Sequence, residues 1–304
     1  MVSQMLSFAA AFQRLHARRL RLWFILVTGS VVILSVQVLM PQWHILPGSA
    51  GASYGLAAFA IFPAAMLCEY MDSSLGMGYG TTLTPLLILF GYEPLQIVPA
   101  VLLSELATGV AAGVMHQRDG NVDFFRDPAA RRTTLLLTSL SAVGALVAVA
   151  VAVQVSKFWL GLFITGIVIA MGVVILATRR RQLRYHAGAI IAVGAVAAFN
   201  KGLSGGGYGP LVTAGQVVSG LPAKPAVAVT SVAEAATCLV GVLGYLAAGK
   251  AIAWNLAVPL TTGALLSVPM ATVTVRHLSE HVVRGLVGAV TLALGFLALL
   301  KLFS

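Results

Sequence analysis

Charge is what this chain lacks. Only 9% of its 304 residues are Asp, Glu, Lys or Arg, while 59% are hydrophobic. A soluble domain carries about 25% charged residues, so this chain cannot cover a water-facing surface, and a soluble globular fold is excluded. Acidic residues are scarcest, 9 against 19 basic ones, for a net charge of +10. Such a balance could suit nucleic acid, but the basic residues form short clusters between apolar runs, the pattern of membrane topology rather than of phosphate binding. Cysteine is nearly absent too: Cys68 and Cys238 both lie inside apolar runs, which argues against a disulfide framework and for small buried packing residues. Histidines are few. His277 and His281 have the spacing of a metal pair on a helix, but they sit in a basic stretch with only Glu280 beside them. No metal site and no cofactor motif is read.

What is present is a series of apolar runs. A basic leader over residues 1–21 carries Arg14, Arg18, Arg19 and Arg21, and the run 22–40 is long enough to span. It exceeds the usual signal-peptide core and reads as a retained first helix. Further runs cover 52–71, 81–90, 96–116, 133–153, 158–177, 187–200, 210–219, 223–247, 255–275 and 282–302. Two of them, 81–90 and 210–219, are too short to cross as ordinary helices.

Both short runs follow a glycine-rich motif, and the motif is repeated. Gly76-Met77-Gly78-Tyr79-Gly80 returns 129 positions later as Gly205-Gly206-Gly207-Tyr208-Gly209, and the same offset carries Glu105 onto Glu234. Internal repeats built on interrupted hydrophobic segments are the best sequence pointer to a secondary-transporter site. Glycine lets the backbone leave helical geometry, which at membrane depth is tolerated only inside protein or along a cavity. A half-helix beginning there offers free N–H groups and a positive dipole end, which favour an anion. A nucleotide-binding reading of the glycines fails because no βαβ unit surrounds them.

The basic residues give an orientation. If each short run completes a crossing with its glycine stretch, and the N-terminus is cytoplasmic, fifteen Lys and Arg face inside and only Lys157, Lys250 and Lys301 face outside. That division obeys the positive-inside rule. Each repeat then has an odd number of crossings, so the second enters the membrane upside down. The expected architecture is an all-α polytopic membrane protein with two inverted-topology repeats, 52–186 and 187–304. Residues 1–51, the leader and an additional helix, precede them. The expected location is the plasma (inner) membrane.

Ionisable groups near the breaks are functional candidates, because burying charge in a membrane is costly. Glu69 and Asp72 precede the first motif; Asn200 and Lys201 precede the second. The offset sets Asp72 against Lys201, so the two could neutralise each other, or Lys201 could meet an anionic substrate. Glu105 and Glu234 could carry coupled protons, or could buttress the exposed N–H groups of the glycine motifs. Thr81, Thr82, Ser204, Thr230 and Ser231 are candidate donors to an oxyanion, although such hydroxyls commonly satisfy nearby backbone. Tyr79 and Tyr208 recur with the motif and could close the site or pack against it. The candidate substrate site is therefore Asp72, Gly76, Gly78, Tyr79, Gly80, Thr81, Thr82, Asn200, Lys201, Ser204, Gly205, Gly206, Gly207, Tyr208 and Gly209.

The glycine stretches with their short helices, and the repeat layout over 52–302, resemble the sulfite exporter TauE/SafE (TSUP) family. The resemblance implies a polytopic transporter with two related halves, moving small anions such as sulfite, sulfonates or sulfoacetate. The leader and first helix are additions to that pattern. Two other readings stand beside it: a passive anion channel, and a rhomboid-like intramembrane protease suggested by Gly202-Leu203-Ser204-Gly205. The protease needs a base near its nucleophile, and no histidine lies in any later apolar run. The implied partners are a small anion, the lipid bilayer and coupled protons, with no nucleic acid. Oligomeric state, exact cargo and direction stay open.

Overall fold

The computed structural model describes residues 23–49, 54–178, 187–209, 212–213, 216, 222–274 and 280–303. The basic leader, the arginines at 179–184, His277 and most of 210–221 lie outside the described residues. The described elements are helices: α1 (Trp23–Leu39), α2 (Ala57–Leu75), α3 (Tyr79–Leu89), α4 (Pro94–Arg118), α5 (Pro128–Gln154), α6 (Lys157–Thr178), α7 (Ala187–Ser204), α8 (Ala223–Ala247), α9 (Trp254–Thr274) and α10 (Glu280–Phe303). Among the described residues, five helices are long and apolar enough to cross a membrane. The protein is thus an all-helical, multi-pass membrane protein. Phe163, Val173, Leu243 and Phe296 are large apolar side chains on its outer face, where lipid rather than water meets them.

Local chemistry sets the helix ends. Pro94 starts α4 behind a capping box in which Glu93 and Gln96 satisfy each other's backbone N–H groups. Pro128 starts α5 after Asp127, whose carboxylate accepts from the N–H groups of Ala129 (2.9 Å) and Ala130 (3.3 Å). Two ends fall later than the hydrophobic pattern suggests. α2 runs past residue 71 to Leu75, and α7 runs past residue 200 to Ser204. The stop is conformational rather than compositional. Gly76 adopts φ +70° and donates its N–H to the Asp72 carbonyl at 2.6 Å, while Gly205 adopts φ +74° and donates to the Lys201 carbonyl at 2.8 Å. Asp72 and Lys201 therefore lie in the last turns of helices, not on extended backbone.

The packing repeats as the sequence does. The offset matches α2 with α7, α4 with α8, α5 with α9 and α6 with α10. α2 packs on α9 as α7 packs on α5, and α4 packs on α9 as α8 packs on α5. The remaining large contacts, α4 on α8 and α6 on α10, join matched helices to each other. Both of these pairs run antiparallel. Gly113 of α4 meets Val232 of α8, whereas Leu102, earlier on α4, meets Gly241, later on α8. Likewise Gly161 of α6 meets Leu302, and Gly172 meets Leu292.

The bundle has two distinguishable ends. At the first, Lys157 pairs with Glu93 at 2.6 Å and Lys301 donates to the Leu89 carbonyl at 2.7 Å. Tyr54 donates to the Trp254 carbonyl there at 3.1 Å. At the second end, Asn121 donates to the Thr272 carbonyl at 3.0 Å, and Thr272 donates to Asp119 at 2.8 Å.

Candidate functional site

The two glycine motifs touch each other at the centre of the bundle. A Cβ on Gly80 would strike the Gly205 carbonyl and the Gly206 Cα, and one on Gly206 would lie 2.6 Å from the Gly80 carbonyl carbon and the Thr81 nitrogen. One on Gly209 would strike the Gly76 carbonyl, repeating the first contact across the repeat. The two breaks cross backbone to backbone, and glycine is required because a side chain would hold them apart. Gly78 (φ +127°) caps the start of α3, which begins at Tyr79, and Gly207 (φ +79°) lies against the Asn200 side chain. On the second copy, Tyr208, Gly209, Val212, Thr213 and Gln216 are helical. The rest of the expected half-helix 210–219 lies outside the described residues.

Lys201 is 1% exposed and lies beside this crossing. Its ammonium forms ion pairs with Glu105 of α4 and with Glu234 of α8, the latter at 2.7 Å. The sequence register instead sets Lys201 against Asp72. The difference is geometric: α7 approaches the middle of α4 and α8, where the two glutamates face each other across the antiparallel pair. Glu105 and Glu234 both reach Lys201. Asp72 Oδ1 accepts from the Tyr79 N–H at 3.4 Å, at the start of the half-helix α3. Carboxylate oxygens of Asp72, Glu105 and Glu234 all lie within 4.8 Å of one another. That spacing would suit a cation, and the Lys201 ammonium already lies against two of the three. Glu69 adds a fourth buried carboxylate. It accepts from Ser73 at 2.6 Å, and its second oxygen has no hydrogen-bond partner.

The hydroxyls divide by role. Ser204 donates to Asn200 at 2.9 Å (carbonyl) and 3.1 Å (side chain) and accepts from the Gly206 N–H at 3.1 Å. Thr230 accepts from Thr213 at 2.9 Å and from Gln216 at 2.8 Å, and Ser231 donates to the Val227 carbonyl at 3.1 Å. Thr82 faces Thr291 at 3.5 Å. Thr81 is buried with no hydrogen-bond partner, which leaves its hydroxyl open to a ligand. Tyr79 and Tyr208 are wholly buried. The Tyr79 hydroxyl meets Ser104 (2.6 Å) and that of Tyr208 meets Ser141 (2.9 Å). The tyrosines anchor the breaks into the flanking helices.

Sequence reasoning passed over Thr84, which donates to the Ser204 carbonyl at 2.9 Å, and Thr213, which donates to the Gly76 carbonyl at 3.2 Å. Each ties one half-helix to the opposite break. Their positions in α3 and in the second short run, one turn after the glycines, were the available signal.

The profile of the sulfite exporter TauE/SafE family matches residues 61–298. The chain belongs to the TauE/SafE family. Among curated relatives of this TauE/SafE protein, "Probable membrane transporter protein YtnM" of Bacillus subtilis (strain 168) is 28% identical over 238 residues, covering 73% of this chain and 76% of the relative. No solved structure matches. The protein is therefore a TauE/SafE-family membrane transporter, and the crossing of two breaks beside Lys201 is its candidate transport site.

Proposed function

We propose that this TauE/SafE protein exports small sulfur-containing anions, such as sulfite, sulfonates or sulfoacetate, by alternating access between two inverted repeats, 52–186 and 187–304. The observation that carries this reading is the meeting of two glycine breaks beside Lys201, a buried cation in the bundle. The antiparallel course of the matched pairs α4/α8 and α6/α10 supports the inversion. Two similar half-sites facing each other give a transporter equivalent inward-open and outward-open states. The anion-attracting positions are the start of α3 and the Lys201 ammonium. In this conformation both are taken by the protein's own carboxylates, Asp72 and the two glutamates, and the cluster is buried. We read this as a closed state in which the protein's own carboxylates occupy the anion positions. The same reading places the second end of the bundle, with Arg118, Arg126, Arg131 and Arg132, in the cytoplasm of a cell whose plasma membrane holds the protein.

A thermal-stability screen of the purified full-length protein against sulfite, thiosulfate, sulfoacetate, taurine and simple carboxylates tests the substrate class. A ligand bound to the folded state raises apparent stability by mass action. The reading requires a concentration-dependent rise with at least one sulfur oxyanion, weaker or absent with the carboxylates. Stabilisation by carboxylates alone would move the cargo out of the sulfur class.

A further inference from the structure

The buried cluster is unbalanced. Asp72, Glu105 and Glu234 bring three carboxylates within 4.8 Å of each other, and Lys201 brings one ammonium. One oxygen of Glu105 faces no hydrogen-bond donor although the residue is only 3% exposed. Among the described residues, the other titratable groups around the cluster are Cys68 and Glu69 on α2, Tyr79 at the start of α3, Tyr208 at the second break and Cys238 on α8. None of these carries positive charge. An added anion would therefore enter a site with excess negative charge, and a metal cation would sit beside the ammonium and be repelled by it. Protons are the cations that fit, because each joins a carboxylate oxygen and needs no coordination shell.

We propose that Lys201 exchanges counter-ions. In the closed state it is held by Glu105 and Glu234. A proton from the aqueous side joins a carboxylate oxygen of Glu105, converting it to a neutral carboxylic acid. The ammonium keeps all its protons, is freed from that partner, and takes the incoming anion in its place. The proton offsets one unit of the incoming anion's negative charge, because one carboxylate of the cluster is neutralised for each anion that Lys201 receives. Asp72 links the cluster to the glycine break through its contact with the Tyr79 N–H, so the charge state of the cluster bears directly on the end of the half-helix. Proton binding and anion binding then favour each other reciprocally. This inference rests on the anion reading above and adds its coupling ion.

The test is titration calorimetry of the full-length protein with thiosulfate and with sulfoacetate. Both probes stay fully ionised near neutral pH, so any proton taken up is taken up by the protein. Repeating the titration in buffers of different ionisation enthalpy counts those protons. The account expects uptake of about one proton per anion, with affinity falling roughly tenfold per unit rise in pH. Glu105→Gln should bind the same probe with less proton uptake and a flatter pH profile, and Lys201→Met should lose binding. The wild-type measurement stands alone if either variant fails to fold. Anion binding with no proton uptake and no pH dependence overturns the exchange while leaving the anion site intact. No binding of either probe, in a protein that is also not stabilised by any sulfur oxyanion, overturns the anion reading and this inference with it.

Discussion

At the scale of the residue, Lys201 holds the centre together and also limits what can be changed there. Removing one partner of a buried ion pair costs about 3–5 kcal/mol, because the remaining charge is stranded. Lys201→Met should therefore destabilise the protein by about that amount, measured by reversible unfolding in mixed micelles. The triple variant Lys201→Met/Glu105→Gln/Glu234→Gln should recover most of the loss. Asp72→Asn should not rescue Lys201→Met, since Asp72 is bonded to the start of α3 rather than paired with Lys201. Equal rescue by Asp72→Asn would restore the pairing that the register suggests. Lys201, Glu105 and Glu234 stood out in the sequence because Glu105 and Glu234 are charges inside apolar runs and Lys201 directly follows one. Their partnership did not. It depends on where α7 crosses the antiparallel pair α4/α8, and a linear offset carries no information about crossing points.

At the scale of the element, the glycines act by absence of a side chain. Gly206→Ala would put a Cβ 2.6 Å from the backbone of Gly80 and Thr81, so the two breaks must move apart. We expect a loss of about 1–3 kcal/mol from overpacking, together with loss of transport. Gly166, in the middle of α6, is a control: a Cβ there meets nothing within 4 Å. Gly166→Ala should be neutral or stabilising by up to about 1 kcal/mol, as for an open helical site. Matched unfolding and transport assays on both variants check this, and equal effects would remove the crossing from the mechanism. The sequence located both breaks correctly, from doubled glycines ahead of short apolar runs. It put the ends of α2 and α7 too early, just before Asp72 and Lys201. Those polar residues are satisfied inside the bundle, and the helices stop where glycine turns to positive φ.

At the scale of the whole molecule, the claim is a two-fold relation between halves of opposite orientation. Lys157 and Lys250 follow helices that end at the first end of the bundle, whereas Arg126 follows α4 at the second. Single cysteines placed at these positions, in a background where Cys68 and Cys238 are already buried, should report opposite sides. We expect Lys157→Cys and Lys250→Cys to react with an impermeant maleimide in intact cells, and Arg126→Cys only after permeabilisation. Reaction of all three from one side would reject the topology. The expectation of an odd number of crossings per repeat comes from the basic residues alone, since only an inverted second copy keeps them on one face. The face-to-face packing of α4 on α8 was not readable, because apolar helices carry little pattern to say which neighbour they choose.

The account stands most directly on counterflow. Purified protein is reconstituted into liposomes preloaded with unlabelled thiosulfate or sulfoacetate, and a trace of the same radiolabelled anion is added outside. An alternating-access site predicts transient accumulation of label above its equilibrium level, abolished in Gly206→Ala and Lys201→Met. Simple equilibration without overshoot, or an overshoot unchanged in both variants, would contradict a transport site at the crossing of the two breaks.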